Sequence, residues 1–278
     1  LGAAALALLG AISWGTGDFF GGLASRKAHV LTVLAISQAV GLVGVLSWAV
    51  ATGATVPGAG DALPAAGAGA AGAIGLAALY RGMAVGAMGI VAPISAVSPI
   101  VPLTVDLVHG VAPTALQWAG IATAMVGVAL LAREPGSLSR TGVAAGVSLA
   151  LLAALGFGLF VVGLDAASDG GATWAVVIAR ATSTVLSLAA LTIVAAPFRP
   201  PSRLLPTIAV VGVFDTTANV LVAVATTRGS AGIVAVLSAL YPLATIALAR
   251  LFLAERLDRP RRVGGVLALG GAALVAVG

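Results

Sequence analysis

The sequence predicts an all-α integral membrane protein of about ten transmembrane helices, arranged as two inverted five-helix repeats. Three observations carry that expectation: a composition that cannot face water, ten apolar runs of spanning length, and one sequence offset that lays the second half on the first. Of 278 residues, 60% are hydrophobic and 8% are charged, with a mean hydropathy of +1.15. Soluble domains carry about 25% charged residues, so soluble enzymes, nucleic-acid-binding modules and disordered chains are excluded. The sequence pI near 11.0 reflects 14 Lys and Arg against 9 Asp and Glu. Most of the basic residues sit at the ends of apolar runs, which is how loop charges orient a membrane protein. With no cysteine there is no disulfide framework, thiolate nucleophile or thiolate metal site. No basic n-region precedes the first apolar run, so no signal peptide is expected and the terminus reads as trimmed.

A spanning helix needs about 20 apolar residues. Taken in order, the first half offers runs at 2–24, 30–51, 62–82, 88–109 and 113–132. The third is rich in Ala and Gly and is the least hydrophobic of these. After the Arg-Glu-Pro-Gly-Ser connector at 133–137 come 142–165, 172–196, 204–226, 231–253 and 261–278. The runs do not alternate and are about twice the length of a barrel strand, so helices are expected throughout. Almost nothing remains for a domain outside the bilayer.

The repeat appears when the second half is shifted back by 143 residues. Gly-Ile-Val-Ala at 232–235 falls on Gly-Ile-Val-Ala at 89–92, Ser238 and Ala239 on Ser95 and Ala96, and Pro242 on Pro99. The same shift lays Ala150, Leu151 and Leu152 on Ala7, Leu8 and Leu9, and Phe157-Gly158 on Trp14-Gly15. The halves are therefore 1–137 and 138–278. Five helices is an odd number, so the second copy enters from the opposite face, giving the inverted topology of many secondary transporters. The odd-numbered loops, taken with Arg261 and Arg262 at the edge of the last run, hold ten basic residues, among them Arg26, Lys27, Arg133 and Arg199, and the even-numbered loops hold only Arg228. That count puts the odd loops in the cytoplasm and both termini outside.

Charged groups deep in a bilayer are costly and tend to mark function. Asp215 lies deepest, near the middle of the eighth run. Asn219 and Thr226 lie on its face, because residues spaced by four share a helical stripe. This is a polar track able to bind a cationic group or a proton, or else a structural ion pair. Arg180, with Thr184 and Ser187 on its face, is a candidate for a substrate carboxylate or for pairing with Asp215. Asp18 shares a stripe with Trp14, Gly17 and Gly21 and is a candidate for the cavity, or for a pair with the nearby Arg26–Lys27 loop at the interface; Trp14 can stack on a ligand or sit in an interfacial belt. Tyr80 and Arg81 close the third run, where Arg81 can instead snorkel to the interface. The fourth and ninth runs carry matching stripes of Ser95, Ser98, Pro102 and Asp106 against Ser238, Tyr241, Thr245 and Ala249. Pro99 and Pro242 are candidate pivots, or fixed kinks. Gly17–Gly21, Gly82–Gly86 and Gly142–Gly146 have the spacing that lets helix backbones approach closely. His29 and His109 lie far apart, and no metal-binding spacing, P-loop or nucleophile elbow is present.

In order and spacing these features resemble the drug/metabolite transporter superfamily, and within it the EamA family. The resemblance covers essentially the whole chain. It rests on the ten runs, the five-plus-five repeat, the Gly-x-x-x-x-x-Ser-Ala-x-x-Pro pattern at 89–99 and 232–242, and Leu-Ala-Glu-Arg-Leu at 253–257 before a Gly-rich last helix. It implies a secondary transporter, commonly an exporter of amino acids or other small metabolites, set in a lipid bilayer, with the bacterial inner (plasma) membrane as the expected location. It also implies a cavity lined by the first, third and fourth helices of each half. The substrate-binding residues expected are Trp14, Asp18, Tyr80, Arg81, Ser95, Arg180, Asp215, Asn219, Ser238 and Tyr241. No cofactor and no catalytic residue are expected. Asp215 or Asp18 is the candidate carrier of a coupled proton, and the chain acts as a monomer or homodimer. The rival readings are an intramembrane enzyme acting on lipid or isoprenoid substrates, which would need clustered acids near an interface, and a channel.

Overall fold

The computed structural model describes residues 1–85, 94–131, 140–253 and 258–278. Its elements are α1 (Ala3–Ser25), α2 (Val30–Ala51), α3 (Ala59–Val85), α4 (Ile100–Val108), α5 (Ala115–Leu131), α6 (Arg140–Ser168) and α7 (Ala172–Ile193). A 3-10 turn (Ser202–Leu204) then leads into α8 (Leu205–Thr226), followed by α9 (Ala231–Ser238), α10 (Tyr241–Leu253) and α11 (Arg259–Val277). The protein is an all-α, multi-pass membrane protein. Among the described residues, eight spans are long and apolar enough to cross a bilayer, α9 and α10 counting together as one; α5 is a shorter apolar helix. Residues 88–93 of the fourth expected span lie outside the described residues. The third helix runs further than its hydropathy suggests, from Ala59, with Asp61 in its first turn and Pro64 just inside. An acid there suits the positive end of the helix dipole.

Helix starts follow local chemistry. Thr114 and Gln117 form a reciprocal capping box at α5: the Thr114 N–H donates to Gln117 Oε1 at 2.9 Å, and the Gln117 N–H to Thr114 Oγ1 at 3.1 Å. Ser230 Oγ accepts the Ile233 N–H at α9, and Asp258 Oδ1 accepts the Arg261 N–H at α11. The ninth span is interrupted at Ala239–Leu240. Pro242 has no N–H to give Ser238, and the chain tightens to Leu240 N–H→Leu237 O at 3.3 Å and Leu243 N–H→Leu240 O at 2.9 Å. The fourth span tightens likewise before Pro102, through Val97→Ile94, Ser98→Ser95, Ile100→Val97 and Val101→Ser98.

Helices pair across the chain. Helix α1 packs on α8 and α3 on α6; α2 packs on α7, α5 on α11, and α4 on α9. Glycine brings some of these backbones together: a Cβ on Gly127 would collide with Ala268 and Gly264, and one on Gly120 with Gly271 and Val275. Gly17 lies against the Asp215 backbone and Gly21 against Val211, as their spacing predicts. The side chains of residues 82–93 and 132–145 lie outside the description, and with them most of the other two glycine pairs. Large apolar side chains such as Val43, Trp48, Val185, Leu251 and Val266 face outward, which suits contact with lipid tails.

Candidate functional site in the middle of the membrane

Four helices bring polar side chains together at mid-depth. Arg180, on α7, is 3% exposed. Its Nη1 donates to Asp215 Oδ2 on α8 at 2.5 Å and to Gln38 Oε1 on α2. Ser183 Oγ, one turn further along α7, also donates to Gln38 Oε1, at 3.0 Å. Arg180 Nε and Nη2 are buried with no hydrogen-bond partner. These two groups form one edge of the guanidinium, the fork that fits a carboxylate, and here that edge is sealed by protein. The Asp215 side chain is 32% exposed, so the pair is half sealed and half open.

One turn from Asp215, Asn219 Oδ1 accepts Trp14 Nε1–H at 2.9 Å, joining α8 to α1. The Trp14 ring lies 6.4 Å from Phe160 of α6, tilted by 57°. Ser13 Oγ donates to the Phe214 carbonyl at 2.7 Å. Thr226, expected to continue the α8 track, instead donates to its own helix at Ala223 O; Thr184 likewise donates to Arg180 O.

Asp18 lies on the inner stripe of α1. Ala7 and Ala11, earlier on that stripe, are 0% and 3% exposed; Trp14 is half-buried, while Asp18 and Gly22 are exposed. Neighbouring positions rule out a lipid-facing stripe, since Gly15 meets the backbone of Tyr241 and Gly17 that of Asp215. Along this inner stripe exposure therefore rises toward the Ser25 end of α1, and the stripe is buried toward the Leu1 end. Asp18 is within Coulomb range of Asp215 and of Tyr241. Among the described residues it has no ion pair or hydrogen bond.

The sealed end has its own polar contact. Asp106 Oδ2, at the end of α4, accepts Ser230 Oγ–H at 2.5 Å and the Gly232 N–H at 2.7 Å. Asp106 thus caps the N-terminus of α9, where helix-dipole attraction favours an anion.

Trp14, Asp18, Arg180, Asp215, Asn219 and Tyr241 thus gather around one space. Ser238 is 1% exposed and its Oγ has no partner; Ser95 is also buried. Arg81 is exposed near the end of α3, and the Tyr80 side chain lies outside the description. Sequence reasoning missed Gln38 and Ser183. A lone amide in the uncharged α2 was the available signal for Gln38, whereas Ser183 carries none until α2 and α7 are seen to touch.

A family model described as the EamA-like transporter family matches residues 1–133 and 144–277. No curated protein matches the chain. In fold the chain is similar to a protein of known crystal structure at 15% sequence identity and a TM-score of 0.84, with 99% of this chain and 96% of the other covered.

Proposed function

The chain belongs to the EamA-like transporter family, and from that premise we propose that it is a secondary transporter working by alternating access between two inverted halves, 1–137 and 138–278. The observation that carries this reading is a mid-membrane cluster of polar side chains on a stripe of α1 that is exposed toward the Ser25 end and buried toward the Leu1 end, where Asp106 joins α4 to α9. A binding site exposed to one face at a time is what a carrier needs, whereas a channel needs a path to both.

The pairing of helices supports the inverted halves. Swapping each helix with its counterpart turns α1·α8 into α6·α3, α3·α7 into α8·α2, and leaves α2·α7 and α5·α11 unchanged; each of these pairs is in contact. The interruptions of the fourth and ninth spans fall at matching positions. By the loop charges, the open end faces the cytoplasm, and the membrane is the bacterial inner membrane. An inward-open cavity that collects its cargo from the cytoplasm suits an exporter.

The cargo on this reading is a small amphipathic or zwitterionic metabolite. Trp14 and Tyr241 supply aromatic walls, and Asp18 and the open side of Asp215 supply charge. The chain is a carrier and not an enzyme on this view, its ten helices enclosing a site within one chain, and it acts as a monomer or homodimer. Flux of an amino-acid and metabolite panel into proteoliposomes tests it, comparing wild type with Asp215→Ala. A flux that saturates, is stimulated by cargo on the far side and falls in the variant is expected. Flux that neither saturates nor exchanges would mean a channel.

A further inference from the structure

The central space holds one carboxylate more than it can neutralise. Asp18 and Asp215 supply two negative charges and Arg180 one positive. Asp215 is taken: it is held by Arg180, which Gln38 holds in turn. Asp18 is not, and it stands at the open wall of the cavity. The groups facing it are Asp215 from α8 and Tyr241 from α10. Neither α9 nor the span of α2 carries a titratable side chain, and Arg250 lies more than two turns beyond Tyr241. Nothing described around Asp18 supplies a positive charge at contact distance, and an unpaired charge at membrane depth is costly.

We infer that Asp18 is the exchange group of the transporter, holding a proton in one half of the cycle and the ammonium group of a cationic or zwitterionic substrate in the other. One proton leaves the Asp18 carboxyl for the water of the cavity as one monovalent ammonium arrives, so the charge at the site is unchanged and no other group need ionise. Asp215 has a further part besides facing the space with its open side: it keeps Arg180 in place between α2, α7 and α8. The sealed Nε–Nη2 edge of Arg180 leaves the open wall selective for cations, with Trp14 and Tyr241 beside Asp18 to receive an aromatic or apolar body. The substrate class is therefore a small amine with an apolar portion. This deepens the transporter reading and rests on it.

Infrared difference spectroscopy on the full chain in lipid tests the exchange through the carbonyl band of a protonated carboxyl, with phenethylammonium as the probe. The band is expected to titrate with pH in wild type and in Asp215→Asn, to be absent in Asp18→Asn, and to fall when phenethylammonium is added at constant pH. In Asp18→Glu the band and its loss on adding the probe are both expected to persist, which guards against a variant that fails to fold. A titrating band that survives Asp18→Asn, or a wild-type band that saturating phenethylammonium does not diminish, overturns the inference. Failure of the transporter reading is seen separately: the infrared result holds, yet proteoliposomes carry none of phenethylammonium, phenylalanine and phenylacetate. If flux occurs and the anion phenylacetate is carried as well as the amine, the transporter stands and the assignment of Asp18 falls.

Discussion

Asp106 accepts the backbone N–H of Gly232 at 2.7 Å, across 126 positions of sequence. One carboxylate thereby closes the end of α4 onto the start of α9. The repeat offset gives Asp106 an alanine counterpart, Ala249, and Ser230 an alanine counterpart, Ala87. By the repeat offset, the residues that make this latch have no polar counterparts in the other half. Loss of a helix cap costs about 1–2 kcal/mol, so Asp106→Ala is expected to lower stability by that much and to favour opening at the Leu1 end. The chain lacks cysteine, so an Ala231→Cys reporter, buried at that end, gives a direct reading. Its labelling by a water-soluble maleimide should rise when Asp106→Ala is added.

The two halves of the Arg180–Asp215 pair should not be equivalent. Asp215→Leu strands a cation that is 3% exposed, and breaking a buried pair in that way costs about 3–5 kcal/mol. Arg180→Met leaves a carboxylate whose side chain is 32% exposed and is therefore less completely stripped of solvent. Denaturation in detergent should show the aspartate variant as the weaker of the two. The double variant should lie above Asp215→Leu alone.

Gly15 and Gly22 lie about two turns apart on one face of α1 and should respond in opposite ways to alanine. A Cβ at Gly15 would collide with the Tyr241 carbonyl and with Ala244, whereas one at Gly22 meets nothing within 4 Å. Overpacking costs about 1–3 kcal/mol, so Gly15→Ala should destabilise and drive Tyr241 away from Asp18. Gly22→Ala should gain up to about 1 kcal/mol from helix propensity. Thermal unfolding of both variants checks the contrast; equal effects would mean that the α1–α10 contact is looser than described.

Ser238 separates structural from functional roles cleanly. Its Oγ is buried and unpartnered, so Ser238→Ala removes a desolvated hydroxyl that contributes no hydrogen bond. Stability should be unchanged or slightly higher. If the hydroxyl meets substrate when the helices rearrange, the KM for transport should rise while the unfolding midpoint does not fall.

Trp14→Phe keeps an aromatic wall but removes the donor to Asn219 Oδ1. A loss of about 0.5–1.5 kcal/mol is expected, with transport retained at a higher KM. Trp14→Ala should cost more in both respects, since the contact with Phe160 disappears as well.

Spans were the most legible part of the sequence, because a hydrocarbon solvent leaves few alternatives to a long helix. The second helix begins and ends where its apolar run does, at 30 and 51. Pro242 announced the break in the ninth span. What hydropathy could not tell is which helix touches which, since the surfaces that meet lipid and those that meet protein are equally apolar. Arg180 and Asp215 were each visible as costly charges, but Gln38 joins them only because α2 and α7 pack with a particular rotation. The difference between Asp18 and Asp215 was hidden for the same reason: two similar-looking acids acquire distinct surroundings only when the third dimension decides which one meets the arginine.

The glycine-rich contact between α5 and α11 has a mechanical consequence. It joins the closing helix of one half to the closing helix of the other, with backbones too near for side chains to intervene. Helix α4, which bears the Asp106 latch, reaches α5 through only six residues, 109–114. On the proposed alternating-access reading, a swing of that latch pulls on a joint that both halves share. Such a seam would then serve as an axle, coupling the opening of one door to the closing of the other without a signal passing through the cargo space.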